Sequence, residues 1–237
     1  MNIQIVVAAH RPYWFPDDEI YLPLQVGAFG KEDIHPGIVR DDKGQNISTK
    51  NSTFCELTGL YWAWKNLDAD IIGLCHYRRY FTERKLWKEK TDRLLKANDI
   101  ALLLGKSDLI LPEKRHYWIE TRKNQYAHAH HIEDLICTGQ ALREKYPELL
   151  PEWEKMLASR SGHICNMFIM KKELLNDYCC WLFDILFTVE SRLDISGYSE
   201  KDRRVYGYLG ERLLDVWIAS KDLIIEDVPV INFENEH

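Results

Sequence analysis

A chain of 237 residues, 46% hydrophobic and 29% charged, can bury a full core, which excludes a disordered protein and favours one domain over residues 1–237. The formal net charge of −6 excludes a general nucleic-acid binder, so any site for phosphate must be a local cluster of cations. The six cysteines lack metal-type spacing and fit reduced thiols, which indicates a cytoplasmic protein. No run of ~20 consecutive apolar residues is present, so we expect peripheral contact with the inner face of the membrane at most.

The first predicted element is a buried strand. Ile3–Ala9 is a mainly β-branched run, typical of a strand covered on both faces, and it ends at His10 and Arg11. Residues 16–46 are rich in proline, glycine and charged side chains. We therefore expect them to be mostly loop.

A helix and a second strand follow. Asn51 or Ser52 can cap a helix whose apolar residues repeat at helical spacing. Residues 71–75 form a second buried run, and its carboxyl end leads into HYRRY, residues 76–80. The order strand, helix, strand predicts a βαβ unit.

The rest of the chain continues to alternate between the two periodicities. It predicts a short helix over 92–98, a strand over 108–111, a polar helical region over 113–152, a strand over 163–170, helices over 173–192 and 199–220, and strand-like segments over 223–225 and 228–231. This alternation predicts an α/β sheet that binds its ligands at the carboxyl ends of its strands.

The segment HYRRY carries the strongest local signal of a binding site. His76, Arg78 and Arg79 bring an imidazole and two guanidiniums to the predicted end of a buried strand. The planar donors of arginine match the oxygens of phosphate, so a nucleotide diphosphate is the natural ligand. The alternative is that one arginine pairs with a carboxylate and the tyrosines pack in the core.

Five phrases spread over nearly the whole chain carry a family resemblance: AAHRPYW, DDKGQNISTKNSTFCELTGLYWAWKN, DIIGLCHYRRYF, GHICNMFIMKKELL and YGYLGERLLDVWI. They resemble a bacterial family of capsule and exopolysaccharide gene clusters, long catalogued as a domain of unknown function and regarded as glycosyltransferases, some of them for galactofuranose. The resemblance implies a GT-A-like fold, with a mixed, mostly parallel sheet flanked by helices. It also implies a UDP-sugar donor and a lipid-linked or oligosaccharide acceptor.

Enzymes of this fold usually carry Asp-x-Asp at the end of a strand, where the carboxylates hold a divalent metal against the diphosphate. Asp68 and Asp70 have this spacing but precede the second predicted strand, so we interpret them as part of a turn. We therefore expect no metal or other cofactor, with fixed cations neutralising the diphosphate instead. The alternative is that Asp41 and Asp42 hold a metal on their loop.

The residues expected to bind the donor and its diphosphate are His10, Arg11, Lys50, Asn51, His76, Tyr77, Arg78 and Arg79. His10 and Arg11 follow the first strand, where folds of this kind contact the nucleotide. Lys50 and Asn51 precede the amino terminus of a helix, which favours anions. Their alternative role is that of a solvated turn and a helix cap.

Four residues are expected near the acceptor or the sugar: His163, Asn166, Tyr208 and Arg212. Asn166 interrupts an apolar strand, and a buried amide needs a partner, which is either a sugar hydroxyl or the backbone. Glu211 is the expected catalytic base if the transfer inverts the anomeric centre. The alternative for Glu211 is an ion pair with a neighbouring arginine. Gly207 and Gly210 on the same helix permit close approach.

Other readings of the sequence are a non-catalytic nucleotide-sugar or carbohydrate-binding module and a nucleotide hydrolase or phosphotransferase. The chain lacks the GxxxxGK[ST] pattern of a P-loop, which disfavours a P-loop hydrolase or phosphotransferase. His128, His130 and His131 form a cluster without cysteines or an HExxH pattern, so we do not assign them to zinc.

Overall fold

The computed structural model describes residues 1–84 and 89–233. The strands in this part of the chain are β1 (Ile3–Ala9), β2 (Tyr21–Gln25), β3 (Val39–Arg40), β4 (Ile71–His76), β5 (Arg79–Phe81), β6 (Leu109–Pro112), β7 (Arg115–His116), β8 (Ser161–Gly162), β9 (Phe168–Lys171), β10 (Ile225–Val228) and β11 (Val230–Asn232). The α-helices are α1 (Asn51–Phe54), α2 (Leu57–Asn66), α3 (Ala97–Leu104), α4 (Arg122–Ala129), α5 (Ile132–Lys145), α6 (Leu150–Ala158), α7 (Lys172–Glu190) and α8 (Val205–Ala219).

The main sheet has the strand order β10-β6-β9-β4-β1-β2-β3, and β5 and β11 join it beside β4. β1 runs parallel to β2 and β4, β2 to β3, and β6 to β10. β9 is antiparallel to both of its neighbours, β4 and β6. All strands of this order except β9 therefore point the same way, which confirms a mixed, mostly parallel sheet flanked by helices.

β1 is central because its side chains are apolar on both faces. Val6 and Ala8 pack in the core formed with α1, α2 and α5 to α8. Ile5 and Val7 point into a second core, which includes side chains of α3, β5 and β11. Since the carboxyl ends of β1 and β4 lie side by side, the residues that follow the two strands meet at one edge of the sheet.

Residues 16–46 contain more structure than the sequence predicted. β2 pairs in parallel with β1, with Pro23 opposite Val7, and β3 pairs with β2. Pro23 indicated a turn, but a proline in a strand removes one backbone donor and keeps a φ that extended backbone tolerates. The pairing partner, which is distant in sequence, decides the structure here.

Several predicted boundaries were wrong. The region predicted as helical over 113–152 contains β7, and its first helix, α4, begins at Arg122. Residues 92–98 form only a 3-10 turn (Thr91–Arg93) and the start of α3, which continues to Leu104. The last helix begins at Val205, because a separate 3-10 turn (Asp202–Arg204) precedes it, and the Ser199 hydroxyl accepts the Asp202 N–H at the start of that turn. The strand predicted over 163–170 begins at Phe168.

α7 is the most apolar long helix predicted from the sequence. Its half-buried Asp184 accepts hydrogen bonds from Lys145 on α5 and from the Tyr146 hydroxyl in the turn that follows. No helix within residues 1–84 and 89–233 is both long and apolar enough to cross a bilayer.

Candidate functional site

A cavity of about 550 Å³ opens at the carboxyl ends of β1 and β4. Nine of the thirteen residues predicted for the site line it: His10, Arg11, Asn51, His76, Tyr77, Arg78, Arg79, Tyr208 and Glu211. Six further polar residues line it as well: Ser52, Cys55, Glu56, Cys165, Glu200 and Arg204. Ligands of open α/β sheets bind at this edge, so the cavity is the candidate site.

The segment HYRRY is a tight turn between two strands. His76 at the end of β4 pairs with Arg79 at the start of β5, and Tyr77 donates its backbone N–H to the Ala8 carbonyl. Tyr77 and Tyr80 are buried, so the tyrosines do pack, as the alternative interpretation expected. The turn thereby directs the remaining side chains toward the cavity.

One wall of the cavity is cationic and is organised around the Tyr77 ring. The guanidinium carbons of Arg11 and Arg78 lie 5.4 and 5.1 Å from the ring centroid, within the range of a cation–π contact. The His10 ring meets the same ring edge-on, with centroids 5.3 Å apart. Burial, and then the charges of Arg11, Arg78 and Arg204, lower the pKa of His10. This wall therefore has a positive potential at the place where an anion would enter.

Arg204 faces this wall from the start of α8, and sequence reasoning missed it. Its Nε donates to the Cys55 sulfur at 3.2 Å, and its guanidinium carbon lies 5.6 Å from the Tyr208 ring centroid. Arg204, Tyr208 and Glu211 are spaced i, i+4, i+7, which places them on one helical face. That spacing was the available signal once Tyr208 and Glu211 were candidates.

Two carboxylates lie deeper in the cavity. Glu211 accepts the Cys165 backbone N–H at 2.8 Å through Oε1, and 22% of its side chain is exposed. Burial raises the pKa of Glu211, although the nearby Arg212 guanidinium opposes this and Glu56 adds to it. Glu56 was not among the predicted site residues.

Glu56 is held by an amide and an imidazole. Its Oε1 accepts from Asn166 Nδ2 at 2.7 Å and lies 3.9 Å from His76 Nε2. His76 Nε2 also lies 2.6 Å from the Cys165 carbonyl oxygen, which can only accept a hydrogen bond. The proton of a neutral His76 therefore belongs on Nε2.

The segment 163–167 shapes the floor of the cavity. Cys165 and Asn166 have positive φ angles of 70° and 49°, in the left-handed region. Asn166 Nδ2 also donates to the Gly207 carbonyl at 3.0 Å, and a Cβ at Gly210 would lie 2.9 Å from Asn166 Oδ1. The close approach expected of the two glycines is that of α8 to Asn166 at Gly210 and to Cys55 at Gly207.

Comparison with known proteins matches residues 4–222 to the family described as domain of unknown function DUF4422. The chain belongs to this family. Its structure is similar to a solved structure described as the apo structure of the WbbM bifunctional glycosyltransferase, with a TM-score of 0.88 and 28% identity over 99% of this chain. The DUF4422 chain spans about half the length of that protein, since the match covers 46% of it. No curated protein gave a significant match. The likeness confirms the GT-A-like fold.

Four predicted site residues of this DUF4422 chain do not line the cavity: Lys50, His163, Asn166 and Arg212. Lys50 donates to Glu190 at 2.6 Å, so its charge is used between α7 and the turn before α1. Asn51 lines the cavity, but its amide donates to the Cys55 carbonyl and to Thr58.

The other three are buried supports of the cavity. His163 lies between Asp215 and Asp227, at 2.5 and 3.2 Å from their carboxylate oxygens. Arg212 packs on the Tyr126 ring, its guanidinium carbon 4.5 Å from the centroid, and donates to the Tyr208 carbonyl. His163 and Arg212 were predicted as site residues because they are polar residues in apolar stretches. In the structure, their buried side chains instead contact residues of neighbouring elements.

The acidic pairs considered for a metal have other roles in this DUF4422 chain. Asp70 accepts the backbone N–H of Asn2 at the amino end of the sheet, opposite the cavity. Asp41 is fully buried and accepts two backbone N–H groups and the hydroxyls of Ser48 and Thr58. Asp42 pairs with Arg40.

A search of the described ranges found no set of three His, Cys, Asp or Glu side chains placed to hold a metal. His128, His130 and His131 each contact a carboxylate, Glu120 for the first and Asp202 for the other two. Among the described residues that line the cavity there is no Asp-x-Asp pair, since Asp70 lies at the amino end of the sheet.

Proposed function

We propose that this protein is a glycosyltransferase that moves a sugar, galactofuranose or another hexose, from a UDP-sugar to a capsular or exopolysaccharide acceptor. One observation carries the proposal: a GT-A-like sheet has, at its carboxyl edge, a cavity in which a cationic wall faces two carboxylates. The cations suit a leaving diphosphate, and the carboxylates suit an attacking hydroxyl.

The donor diphosphate binds between Arg11, Arg78 and Arg204 in this proposal. Guanidiniums form charge-assisted bonds with phosphate oxygens, and donors already directed at the developing charge stabilise a leaving diphosphate. The low pKa of His10 keeps its ring neutral, so it acts as a hydrogen-bonding group beside the phosphates. Arg79 and His76 complete this side of the site.

Glu211 acts as the base. The acceptor oxygen attacks the anomeric carbon, the bond from that carbon to the diphosphate oxygen breaks with its electron pair leaving on UDP, and Glu211 takes the hydroxyl proton. Its raised pKa brings it closer to neutral pH, which favours proton uptake. Tyr208 stands beside it on the same helical face to contact the sugars.

Transfer is metal-independent in this proposal. The Asp-x-Asp pair lies at the opposite edge of the sheet, and arginines line the cavity, where their charges would neutralise the diphosphate.

The test incubates the protein with a panel of UDP-sugars and measures UDP release with and without EDTA. We expect release from at least one donor, unchanged by EDTA, and a loss of ~10² to 10⁴ in rate for Glu211→Gln. Release that stops with EDTA would overturn metal independence. Calorimetric binding without release for any sugar would favour the non-catalytic binding module instead.

A further inference from the structure

A second feature of the surface lies outside the cavity, on residues 114–123, which we call the basic tip. Trp118 and Ile119 stand in the loop between β7 and α4 with 88% and 91% of their surface exposed. They are the two most exposed large hydrophobic residues in the described part of the chain, and they are adjacent. Neighbouring exposed apolar side chains of this size mark an interaction surface.

The basic tip is held firmly at its base. β7 pairs with β8, with Arg115 opposite Gly162. Tyr117 donates its N–H to the Arg160 carbonyl at 2.7 Å, and Arg122 donates to Ser159 at 2.9 Å. The two apolar side chains are therefore presented by a fixed backbone on each side of the loop.

The charge around these side chains is positive, although the protein as a whole is acidic. Lys114, Arg115 and Lys123 are exposed. Glu120 is the one acidic residue of the basic tip and contacts His128, and Glu113 just before the tip pairs with Arg84. A cationic patch on a chain of net charge −6 is complementary to an anionic surface.

We propose that the basic tip docks on an anionic lipid bilayer, with Trp118 and Ile119 entering the interface and the cations facing the headgroups. Tryptophan favours this depth of a membrane, and each nearby cation adds attraction to anionic lipid. A protein partner fits less well, because an aromatic side chain buries at most ~250 Å² and a stable interface needs ~800 Å² on each side.

The inference is independent of the proposed function, because it needs no turnover. It bears on that function through position: β7 pairs with β8, which lies just before Cys165 in the chain, and Cys165 lines the cavity, so the basic tip lies near the site. Docking would bring the cavity close to an acceptor carried by a lipid.

The experiment sediments the full chain with vesicles of phosphatidylcholine alone or mixed in equal parts with phosphatidylglycerol. The variants are Trp118→Ser with Ile119→Ser, Lys114→Glu with Arg115→Glu, and Leu102→Ser as the matched control. Leu102 is 74% exposed on α3, away from the basic tip. Melting curves check that each variant is folded.

We expect the parent and Leu102→Ser to bind the anionic vesicles, more weakly at high salt. Loss of the two apolar side chains should lower the partition coefficient about tenfold or more. Charge reversal should abolish the preference for anionic lipid. The proposal is overturned if the parent stays in the supernatant, if Leu102→Ser is as damaging, or if Trp118→Ser instead abolishes a lipid-free dimer.

Discussion

Replacing Arg204 by alanine tests whether both walls of the cavity hold the diphosphate. A hydrogen bond to a charged group contributes ~1.5 to 3 kcal/mol, and the exposure of Arg204 before a ligand binds favours the lower half of this range. At ~1.4 kcal/mol for each factor of ten, the Kd for UDP should rise about 10- to 40-fold. Arg204→Lys keeps the charge without the planar donors and should fall in between.

Arg203→Ala is the matched control. Arg203 is exposed and donates to the Ser196 carbonyl, but it does not line the cavity. Calorimetry with UDP should show a loss for Arg204→Ala and none for Arg203→Ala.

A second readout needs no ligand. The Arg204 charge helps to lower the pKa of His10, so its removal makes the imidazolium easier to form and should raise that pKa toward 6.5. An NMR titration of His10 measures this shift. Equal UDP affinity in parent and Arg204→Ala, or an unmoved His10 titration, would refute the two-walled arrangement.

Two further predictions concern buried charge. Burial raises the folded-state pKa of Glu211 above that of the unfolded chain, so its contribution to stability is present at acidic pH and is lost as the pH rises through the folded-state value. At neutral pH we therefore expect Glu211→Gln to unfold at a higher urea concentration than the parent, and the difference should shrink on acidification. A variant less stable than the parent at neutral pH would contradict this. Arg122 forms a buried ion pair with Asp215, with 5% and 13% of the two side chains exposed, so Arg122→Ala should lower the free energy of unfolding by ~3 to 5 kcal/mol. The exposed neighbour Lys123→Ala should change it by less than ~0.5 kcal/mol in the same urea titration, and equal effects would refute the pairing.

The sequence predicts the centre of the fold well because the information there is local. β1 and β4 are apolar on both faces, and only a strand inside a sheet needs that composition. β2 could not be predicted in this way, since Pro23 and the surrounding glycines indicate turns. Its structure depends on pairing with β1, and the residues of β2 alone do not indicate that pairing.

The cationic wall was predictable for the same reason. His10, Arg11 and residues 76–79 follow two adjacent strands, so their meeting at one edge follows from the strand order. Glu56 and Arg204 were missed because α1 and the start of α8 meet only through tertiary packing, where Cys55 approaches Gly207. His163 and Arg212 carry the opposite lesson: a polar residue in an apolar stretch can be a structural partner of another partly buried charge, Asp215 for His163 and Glu211 for Arg212.

The segment 163–167 explains how the two sides of the cavity are coupled. Its backbone gives an N–H to Glu211 and a carbonyl to His76 from the single residue Cys165, and the next residue, Asn166, gives its amide to Glu56. A regular strand would send consecutive side chains to opposite faces and could not serve all three. The left-handed backbone at Cys165 and Asn166 therefore lets one short segment orient both carboxylates and the imidazole. The packing of α8 against this segment, through Gly207 and Gly210, stabilises the strained backbone conformation.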